Sequence, residues 1–236
     1  MNIFKKTAFI EAVFLNLIDR KIIIIIYLIE LSMNIVKKIL ILVFLLSLSC
    51  YSQTISIEQI IDIEDNDGYE TPSAYYKDTN NLFDPFVGTY IYNIGDKYLK
   101  IVLEKKIHSS LNGYCYSDTM IAEYQYIVNG IKKTNTLNKL SINYSDARFH
   151  TIDGVIIYTG KVNGCYDCDV AEKRLRMGIF DSYSEAGGDI IIRRIIVGGQ
   201  PAIELSLNWN TRGHREGTPL PLQPELKGGS YIMIKE

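Results

Sequence analysis

The sequence has few of the residues on which enzymes most often rely for acid–base and nucleophilic chemistry. It contains 3 histidines among 236 residues, and neither His150 nor His214 neighbours a nucleophile in a known catalytic motif. Gly-x-Ser-x-Gly, phosphate-loop and dinucleotide-binding patterns are missing, and no pair of carboxylates is singled out by its spacing. We therefore predict no catalytic residue, no metal site and no cofactor, and expect both histidines at the surface.

Positive charge is in deficit in the main part of the chain. The whole sequence carries 25 basic and 27 acidic residues, and residues 1–52 hold six of the former and three of the latter. From Gln53 onward the net charge is therefore −5. An acidic body does not attract phosphate groups in general, and this argues against a nucleic-acid-binding protein.

The N-terminal region has no apolar run of the about 20 residues that a membrane-spanning helix requires. It has instead the layout of a secretory signal peptide over 33–52. Lys37 and Lys38 form a basic start, residues 39–46 are all apolar, and small residues near the end permit cleavage before Gln53. We predict an exported protein of the periplasm or cell envelope, or a secreted one, that meets the membrane only through this segment.

Residues 1–32 contain a second basic and apolar unit that export does not require. Their run of five isoleucines over 22–26 is typical of AT-rich codons more than of a selected helix. We therefore expect translation to begin at Met33, with 1–32 as an extension of the gene model. The alternative is an N-terminal membrane hairpin with 22–31 as one arm, although that arm has only about half the length of a spanning helix.

Cysteine is scarce, with 4 residues in the chain. At Cys50 we expect simple cleavage, and the alternative is acylation, which would anchor the protein to a membrane. The Cys-x-x-Cys motif at Cys165 and Cys168 lacks both the βαβ context of a redox dithiol and the four ligands of a zinc site. We predict a structural disulfide between Cys115 and either Cys165 or Cys168, as is common in oxidising compartments.

Short segments with an alternating apolar pattern dominate the chain from Phe86 onward, and no long helix is predicted there. Tyr124 and Tyr126, for example, alternate with Glu123 and Gln125, which we expect on a solvent-exposed face. Asn129-Gly130 follows soon after and indicates a tight hairpin. Nine strands are predicted, over 88–94, 98–105, 120–128, 131–137, 155–162, 174–180, 190–197, 203–209 and 231–235.

Nine strands at such short spacing predict a mainly β domain over 83–236. Because successive strands are joined by short turns, the expected architecture is an antiparallel, up-and-down β-barrel of about eight or nine strands. Its inner face is expected to be apolar and its outer face wet. Residues 53–82 show a weaker pattern and are expected to form a linker or N-terminal arm, which the signal helix precedes.

Two segments of the chain resemble a known family. Residues 75–90 read Tyr-Tyr-Lys-Asp-Thr-Asn-Asn-Leu-Phe-Asp-Pro-Phe-Val-Gly-Thr-Tyr, and residues 121–130 read Ile-Ala-Glu-Tyr-Gln-Tyr-Ile-Val-Asn-Gly. Together with the signal peptide they resemble an uncharacterised family of exported Bacteroidota proteins, domain of unknown function 6705, over roughly 53–236. The resemblance implies a fold more than an activity.

A more distant likeness concerns Phe86-Val87-Gly88-Thr89-Tyr90, which resembles the opening strand of lipocalin-like barrels. In those barrels a Gly-x-Trp motif places its aromatic ring at the closed end, and Tyr90 stands here in place of the tryptophan. Lipocalins also place an arginine over that ring. Arg193 and Arg194 are the candidates for this companion arginine.

The predicted function is non-catalytic. A lipocalin-like barrel of the cell envelope is expected to bind a small apolar ligand or another envelope component, or to have a structural role. Tyr90, Tyr124, Tyr126 and Trp209 are the expected ligand-lining residues. The alternative is an envelope hydrolase acting on lipid or glycan, which requires a pocket with an ionisable group inside. The charged loop over 211–217 is expected to be a solvated connection, with a binding loop at the barrel mouth as its alternative.

Overall fold

The computed structural model describes residue 25 and residues 27–43, 53–59, 71–111, 113–162, 165–210 and 222–236. The chain divides into two units, Met1–Tyr51 and Ser52–Glu236. Cys50, the predicted cleavage site and the charged loop over 211–217 lie outside the described residues.

Among the described residues of the first unit, 27–43 form a helix, and their side chains are exposed. This helix overlaps the first part of the predicted signal segment at 33–52. None of the helices in the described ranges has both the length and the apolar character needed to cross a membrane. The start of translation at Met33 stays a prediction.

The second unit is built from strands, as the two-residue periodicity predicts. Eleven strands occur in its described ranges: β1 Thr54–Ser56, β2 Tyr75–Lys77, β3 Gly88–Ile94, β4 Lys97–Leu111, β5 Cys115–Val128, β6 Ile131–Asn135, β7 Ile152–Thr159, β8 Lys173–Asp181, β9 Ala186–Val197, β10 Gln200–Trp209 and β11 Gly229–Lys235. Short 3₁₀ helices cover Ile57–Gln59, Asp84–Phe86, Leu137–Ser141 and Ala147–Phe149. All nine predicted strands are confirmed, with β4 and β5 longer than predicted.

Eight of the strands close into an antiparallel barrel. The order of the strands around the barrel is β3, β4, β5, β7, β8, β9, β10 and β11, and each strand pairs with the next one in this order. The barrel closes where β11 pairs with β3, with Ile234 opposite Ile91 and Lys235 opposite Tyr90. The predicted up-and-down barrel is therefore confirmed. Closure satisfies the backbone groups that would otherwise be exposed at two sheet edges.

Three strands lie outside the closed barrel. β6 forms the predicted Asn129-Gly130 hairpin with the end of β5. β2 pairs in parallel with the start of β5, and β1 pairs in parallel with β2. The described parts of the predicted linker therefore extend the sheet, and they bury Ile55, Ile57 and Tyr76 in the core.

The barrel interior is filled with apolar side chains. On β4 the predicted inner face is confirmed, because Leu99, Ile101 and Leu103 are all buried. Ile101 stands between Tyr90 on β3 and Tyr124 on β5 in the strand register, so the three side chains form one layer. All of them belong to a single hydrophobic cluster that takes in residues from every strand of the barrel. Eight-stranded barrels have an interior narrow enough for side chains to fill.

The outer wall of the barrel is not wet everywhere. Glu123 was expected on a solvent-exposed face of β5, and this prediction is wrong because the side chain is 0% exposed. The segment between β6 and β7 crosses this part of the outer wall. The backbone N–H of Tyr124 donates to Thr136 Oγ1, and that of Thr151 donates to Glu123 Oε1. Alternation along a strand predicts which face a residue lies on, but it does not predict what covers that face.

Candidate binding site

The four aromatic residues predicted to line a ligand site lie in the packed core. Tyr90, Tyr124 and Tyr126 are buried, and Trp209 packs half-buried against the same cluster. Tyr90 donates its hydroxyl proton to the carbonyl of Phe86 at 3.0 Å, and Trp209 donates from Nε1 to the carbonyl of Leu226 at 2.8 Å. Burial raises the pKa values of Tyr90 and Tyr124 above the ordinary range. Their role in ligand binding stays a prediction.

The two candidates for a companion arginine take opposite positions. Arg194 shares the inward face of β9 with buried Ile190 and Ile192, and its guanidinium lies 5.6 Å from the centre of the Phe86 ring. Beside it, Lys235 Nζ lies 5.6 Å from the centre of the Tyr90 ring. Arg193 points to the outer wall. The positively charged group above Phe86 is therefore Arg194, and this arrangement is compatible with a lipocalin-like closed end.

The disulfide joins different cysteines from those expected. Cys165 bonds to Cys168, with their Cα atoms 5.5 Å apart, while Cys115 is free and buried. The predicted pairing of Cys115 with one of them is wrong because Cys115 opens β5 inside the core, whereas Cys165 and Cys168 share a loop between β7 and β8. Burial raises the pKa of the Cys115 thiol, which makes it less reactive.

A buried pair of ionisable residues lies beneath the segment that crosses β5. His150 was expected at the surface, and this prediction is wrong because its side chain and that of Glu123 are both fully buried. The Nδ1 atom of His150 lies 3.1 Å from Glu123 Oε1. Burial lowers the pKa of His150, and Lys106 and Lys139 act in the same direction, while Glu123 opposes them. A neutral imidazole therefore donates its Nδ1 proton to Glu123 at pH 7.

An open pocket of about 300 Å³ lies on the outer wall over β8, β9 and β10. We call it the arginine pocket, and it is lined by Cys165, Asp167, Arg174, Ile191, Arg193, Glu204 and Ser206. The strand register explains its composition. Arg174, Arg193 and Glu204 stand side by side on three neighbouring strands, and Ile191 and Ser206 form the row beneath them. The disulfide-bonded loop supplies the rim with Cys165 and Asp167.

The two arginines of this pocket have different partners. Arg193 donates from Nε to Glu172 at 2.6 Å and from Nη1 to Asp167 at 2.9 Å. These two carboxylates neutralise its charge. Arg174 is 4% exposed and donates from Nη2 to the backbone carbonyls of Gly160 and Val162. It forms no salt bridge within the described residues, and its Nε has no hydrogen-bond partner there.

A second pocket of about 270 Å³ lies on the outer wall around a bulge in β7. We call it the Asp153 pocket. Its polar side consists of Arg148, Asp153, Arg176 and Asp189, its apolar side of Leu111, Val155, Ile156 and Met177, and its glycines are Gly154 and Gly178. A Cβ atom on Gly154 would lie 2.5 Å from the carbonyl oxygen of Arg176, so this close approach of β7 and β8 requires glycine.

Asp153 differs from Asp189 in the same pocket and from the nearby Asp146, which both form salt bridges with arginines. Arg148 pairs with Asp146 at 2.6 Å, and Arg176 pairs with Asp189 at 3.0 Å. Burial raises the pKa of Asp153 to about 6, and Asp146 adds to the effect while Arg148 opposes it. The carboxyl group of Asp153 is therefore protonated in a substantial fraction of molecules near pH 6. Such a group donates or accepts a hydrogen bond according to pH.

The sequence analysis predicted neither pocket. The alternating pattern contains useful information about only one of them, the arginine pocket. Arg174, Arg193 and Glu204 occupy polar positions of alternating strands, so their outward direction follows from the pattern. That these three residues lie next to one another follows from the strand register, which cannot be derived from the pattern. Asp153 and the bulge beside it lie just before a predicted strand, and Gly154 was the one visible mark of a close backbone approach.

Neither a curated protein nor a solved structure matches this chain. A family model described as a family of unknown function (DUF6705) matches residues 33–236, and the chain belongs to this family.

Proposed function

We propose that the protein is an exported, non-catalytic binding module of the cell envelope that recognises its ligand on the outer wall of the barrel. The observation that carries this proposal is the contrast between the two faces of the sheet. The inner face forms one apolar cluster that includes the four predicted aromatic residues. The outer wall has two pockets in which charged side chains converge.

Export is supported by the signal-peptide layout over 33–52 and by the cysteines. A loop disulfide such as Cys165–Cys168 persists in oxidising compartments and is rare in the cytosol. Fractionation of cells that express the full chain tests this part. We expect the protein in the envelope or medium, with Cys165 and Cys168 protected from alkylation until a reductant is added. Recovery in the cytosol with both thiols free would contradict export.

The binding mode is tested by mapping ligands on the folded protein. We expect native mass spectrometry of the purified full chain to show no retained lipid, because apolar side chains occupy the interior. Amide chemical shifts recorded with a mixture of amino acids, sugar acids and phosphorylated sugars should change on the outer faces of β8, β9 and β10. A retained apolar molecule that shifts the amides around Tyr90 and Tyr124 would contradict this mode and support an interior ligand.

A second candidate function is hydrolysis of an envelope glycan, and Asp153 is the observation that favours it. Asp153, Gly178 and Asp189 lie in one row across β7, β8 and β9, so the two aspartates are separated by two strand spacings, roughly 10 Å between Cα atoms. Gly178 has no side chain to fill the gap. Inverting glycosidases use two carboxyl groups about 6.5–9.5 Å apart, one as general acid and one as general base, and these Cα positions allow such a separation.

The hydrolase is tested by the release of reducing sugar from envelope polysaccharide. It predicts activity that rises toward pH 6, where Asp153 is protonated in many molecules, and at least a hundredfold loss in Asp153→Asn. Asp84→Asn is the matched control, because Asp84 lies in a different part of the barrel and pairs with Lys105. Absence of sugar release by the wild-type protein would leave the binding module as the function.

A further inference from the structure

We propose that the arginine pocket binds the anionic group of a small ligand, a carboxylate or a phosphate, through the guanidinium of Arg174. The proposal rests on the outer-wall binding mode and names the ligand chemistry for one of the two pockets. Its starting point is a buried positive charge that has no acidic partner among the described residues.

Arg174 is an unusual arginine because it is 4% exposed and still lines an open pocket. Its guanidinium carries a positive charge spread over a planar group of five N–H donors. Buried charges in proteins are normally paired, since removing a charge from water is strongly unfavourable. The groups that Arg174 contacts directly are neutral, namely the carbonyls of Gly160 and Val162 and the ring of Tyr158 at 5.9 Å, and Asp167 interacts with it only electrostatically, without a salt bridge.

The neighbouring arginine shows that carboxylates were available nearby. Arg193 is directly opposite Arg174 in the strand register, and it pairs with both Glu172 and Asp167. Both acids thus form salt bridges with Arg193, whereas Arg174 forms none within the described residues. An anion that enters the pocket would meet one neutralised guanidinium and one that still lacks a counter-ion.

The guanidinium of Arg174 is held in a fixed position for such an anion. Both of its hydrogen bonds to carbonyls use Nη2. Nη1 makes no hydrogen bond in the described part of the chain and remains available to the pocket. Because the two carbonyls already orient the planar group, little conformational entropy is lost when an anion binds.

The opposite side of the pocket indicates what else the ligand carries. Glu204 faces Arg193 across the strand pair, and its Oε1 accepts a hydrogen bond from Ser230 at 3.0 Å. Ser206 adds a hydroxyl group and Ile191 a small apolar surface. A carboxylate at Glu204 repels large polyanions and favours donors. The ligand class is therefore a small monoanionic or dianionic molecule with hydroxyl or amino groups.

The test is a titration of the full chain with small anions at constant ionic strength, monitored by NMR. The probes are sodium phosphate, sodium sulfate and sodium acetate, with glycerol as the uncharged control. We expect saturable shifts at Arg174 Nε–H and at the amides of Ile191 and Arg193, and no such shifts with glycerol. Preference for phosphate over acetate would indicate a phosphorylated ligand, and the reverse preference a carboxylate.

Two variants separate the proposed site from general charge effects. In Arg174→Gln we expect anion affinity to fall at least tenfold, while Lys100→Gln removes a positive charge already paired with Glu236, outside both pockets, and leaves affinity unchanged. Arg174→Lys keeps the charge and loses the planar fork, so an intermediate loss is expected. If Arg174→Gln does not fold, the saturable Nε–H shift of the wild-type protein still decides the question.

The outcomes distinguish this inference from the proposed function. Equal anion affinity in the wild type and Arg174→Gln would overturn the assignment to Arg174. If that result came with ligand shifts elsewhere on the outer wall, the binding module would stand and only the anion site would fall. Absence of saturable binding anywhere on the outer wall would remove both.

Discussion

Two buried charged groups on the outer wall of the barrel have opposite surroundings. Glu123 on β5 is covered by the segment between β6 and β7, and it accepts hydrogen bonds from His150 and from the backbone of Thr151. Arg174 on β8 lies at an open pocket, donates hydrogen bonds only to neutral carbonyl groups and forms no salt bridge within the described residues. The comparison teaches that burial alone does not mark a site. A buried charged group with hydrogen-bond partners holds a segment of the chain in place. A buried charged group beside a cavity that has no salt-bridge partner is available to a ligand.

The largest effect on stability is expected at Glu123, the buried charged group that has hydrogen-bond partners. Glu123→Ala leaves the Thr151 N–H and His150 Nδ1 without an acceptor inside the protein. We expect a loss of about 3 kcal/mol in the free energy of unfolding, measured by urea denaturation at pH 7. Glu104→Ala on the exposed face of β4 is the control and should change stability by less than about 0.5 kcal/mol. A loss below about 1 kcal/mol in Glu123→Ala would show that the pair does not hold this segment.

Asp153 extends the comparison, because it is an acid at a pocket with a raised pKa. Its folded-state pKa of about 6 exceeds its ordinary value of 3.8. The folded protein therefore binds the proton more readily than the unfolded chain, and ionisation destabilises the fold as pH rises through this interval. We expect Asp153→Asn to stabilise the protein by about 2 kcal/mol at pH 7 and to have no effect below about pH 4. Destabilisation at pH 7 would mean that the carboxylate has a partner.

His150 should give the opposite pH dependence. Its pKa is lowered in the folded protein, so the unfolded chain takes up the proton first as pH falls below about 6.5. His150 should therefore contribute a loss of stability from pH 7 to pH 5 that opposes the gain expected from Asp153, and His150→Gln should remove this contribution. Urea midpoints at the two pH values measure it. A midpoint difference as large in His150→Gln as in the wild type would show that another group is responsible.

The smallest expected effect on stability is at Arg174. Arg174→Gln removes an unpaired buried charge and keeps a side-chain amide that donates to the neighbouring carbonyls. We expect the free energy of unfolding to change by less than about 1 kcal/mol, in contrast with Glu123→Ala. The measurement is urea denaturation in chloride buffer without phosphate. A loss comparable to that of Glu123→Ala would indicate that Arg174 is a structural residue and would remove the basis of the comparison.

The barrel could be predicted from the sequence because strands such as β4 and β10 alternate and all of its strands follow one another at short spacing. Leu99, Ile101 and Leu103 identify the inner face of β4, and the same two-residue spacing places Arg194 on the strand face of Ile190 and Ile192, at the exposed end of β9. That position could have decided between Arg193 and Arg194 before the structure was known. The family resemblance was also confirmed, since the family match covers residues 33–236.

The candidate sites could not be predicted in the same way. Burial of Glu123 and His150 depends on a segment with only short 3₁₀ helices, whose path has no periodic signal. The cysteine pairing depends on which loop lies near which strand end, and Cys115 turned out to lie in the core. The arginine pocket depends on the register between β8, β9 and β10. Each of these features arises from long-range contacts that local patterns do not encode.

The most direct test of the account is the thermal unfolding midpoint of the full chain in increasing phosphate at constant ionic strength. A ligand that binds only the folded state raises the midpoint by an amount that grows with the logarithm of its concentration relative to its dissociation constant. We predict a rise for the wild type and for Lys100→Gln, and no rise for Arg174→Gln. An equal rise in all three proteins would show that phosphate acts through the solvent or another site, and it would contradict the claim that the unpartnered charge marks the binding site.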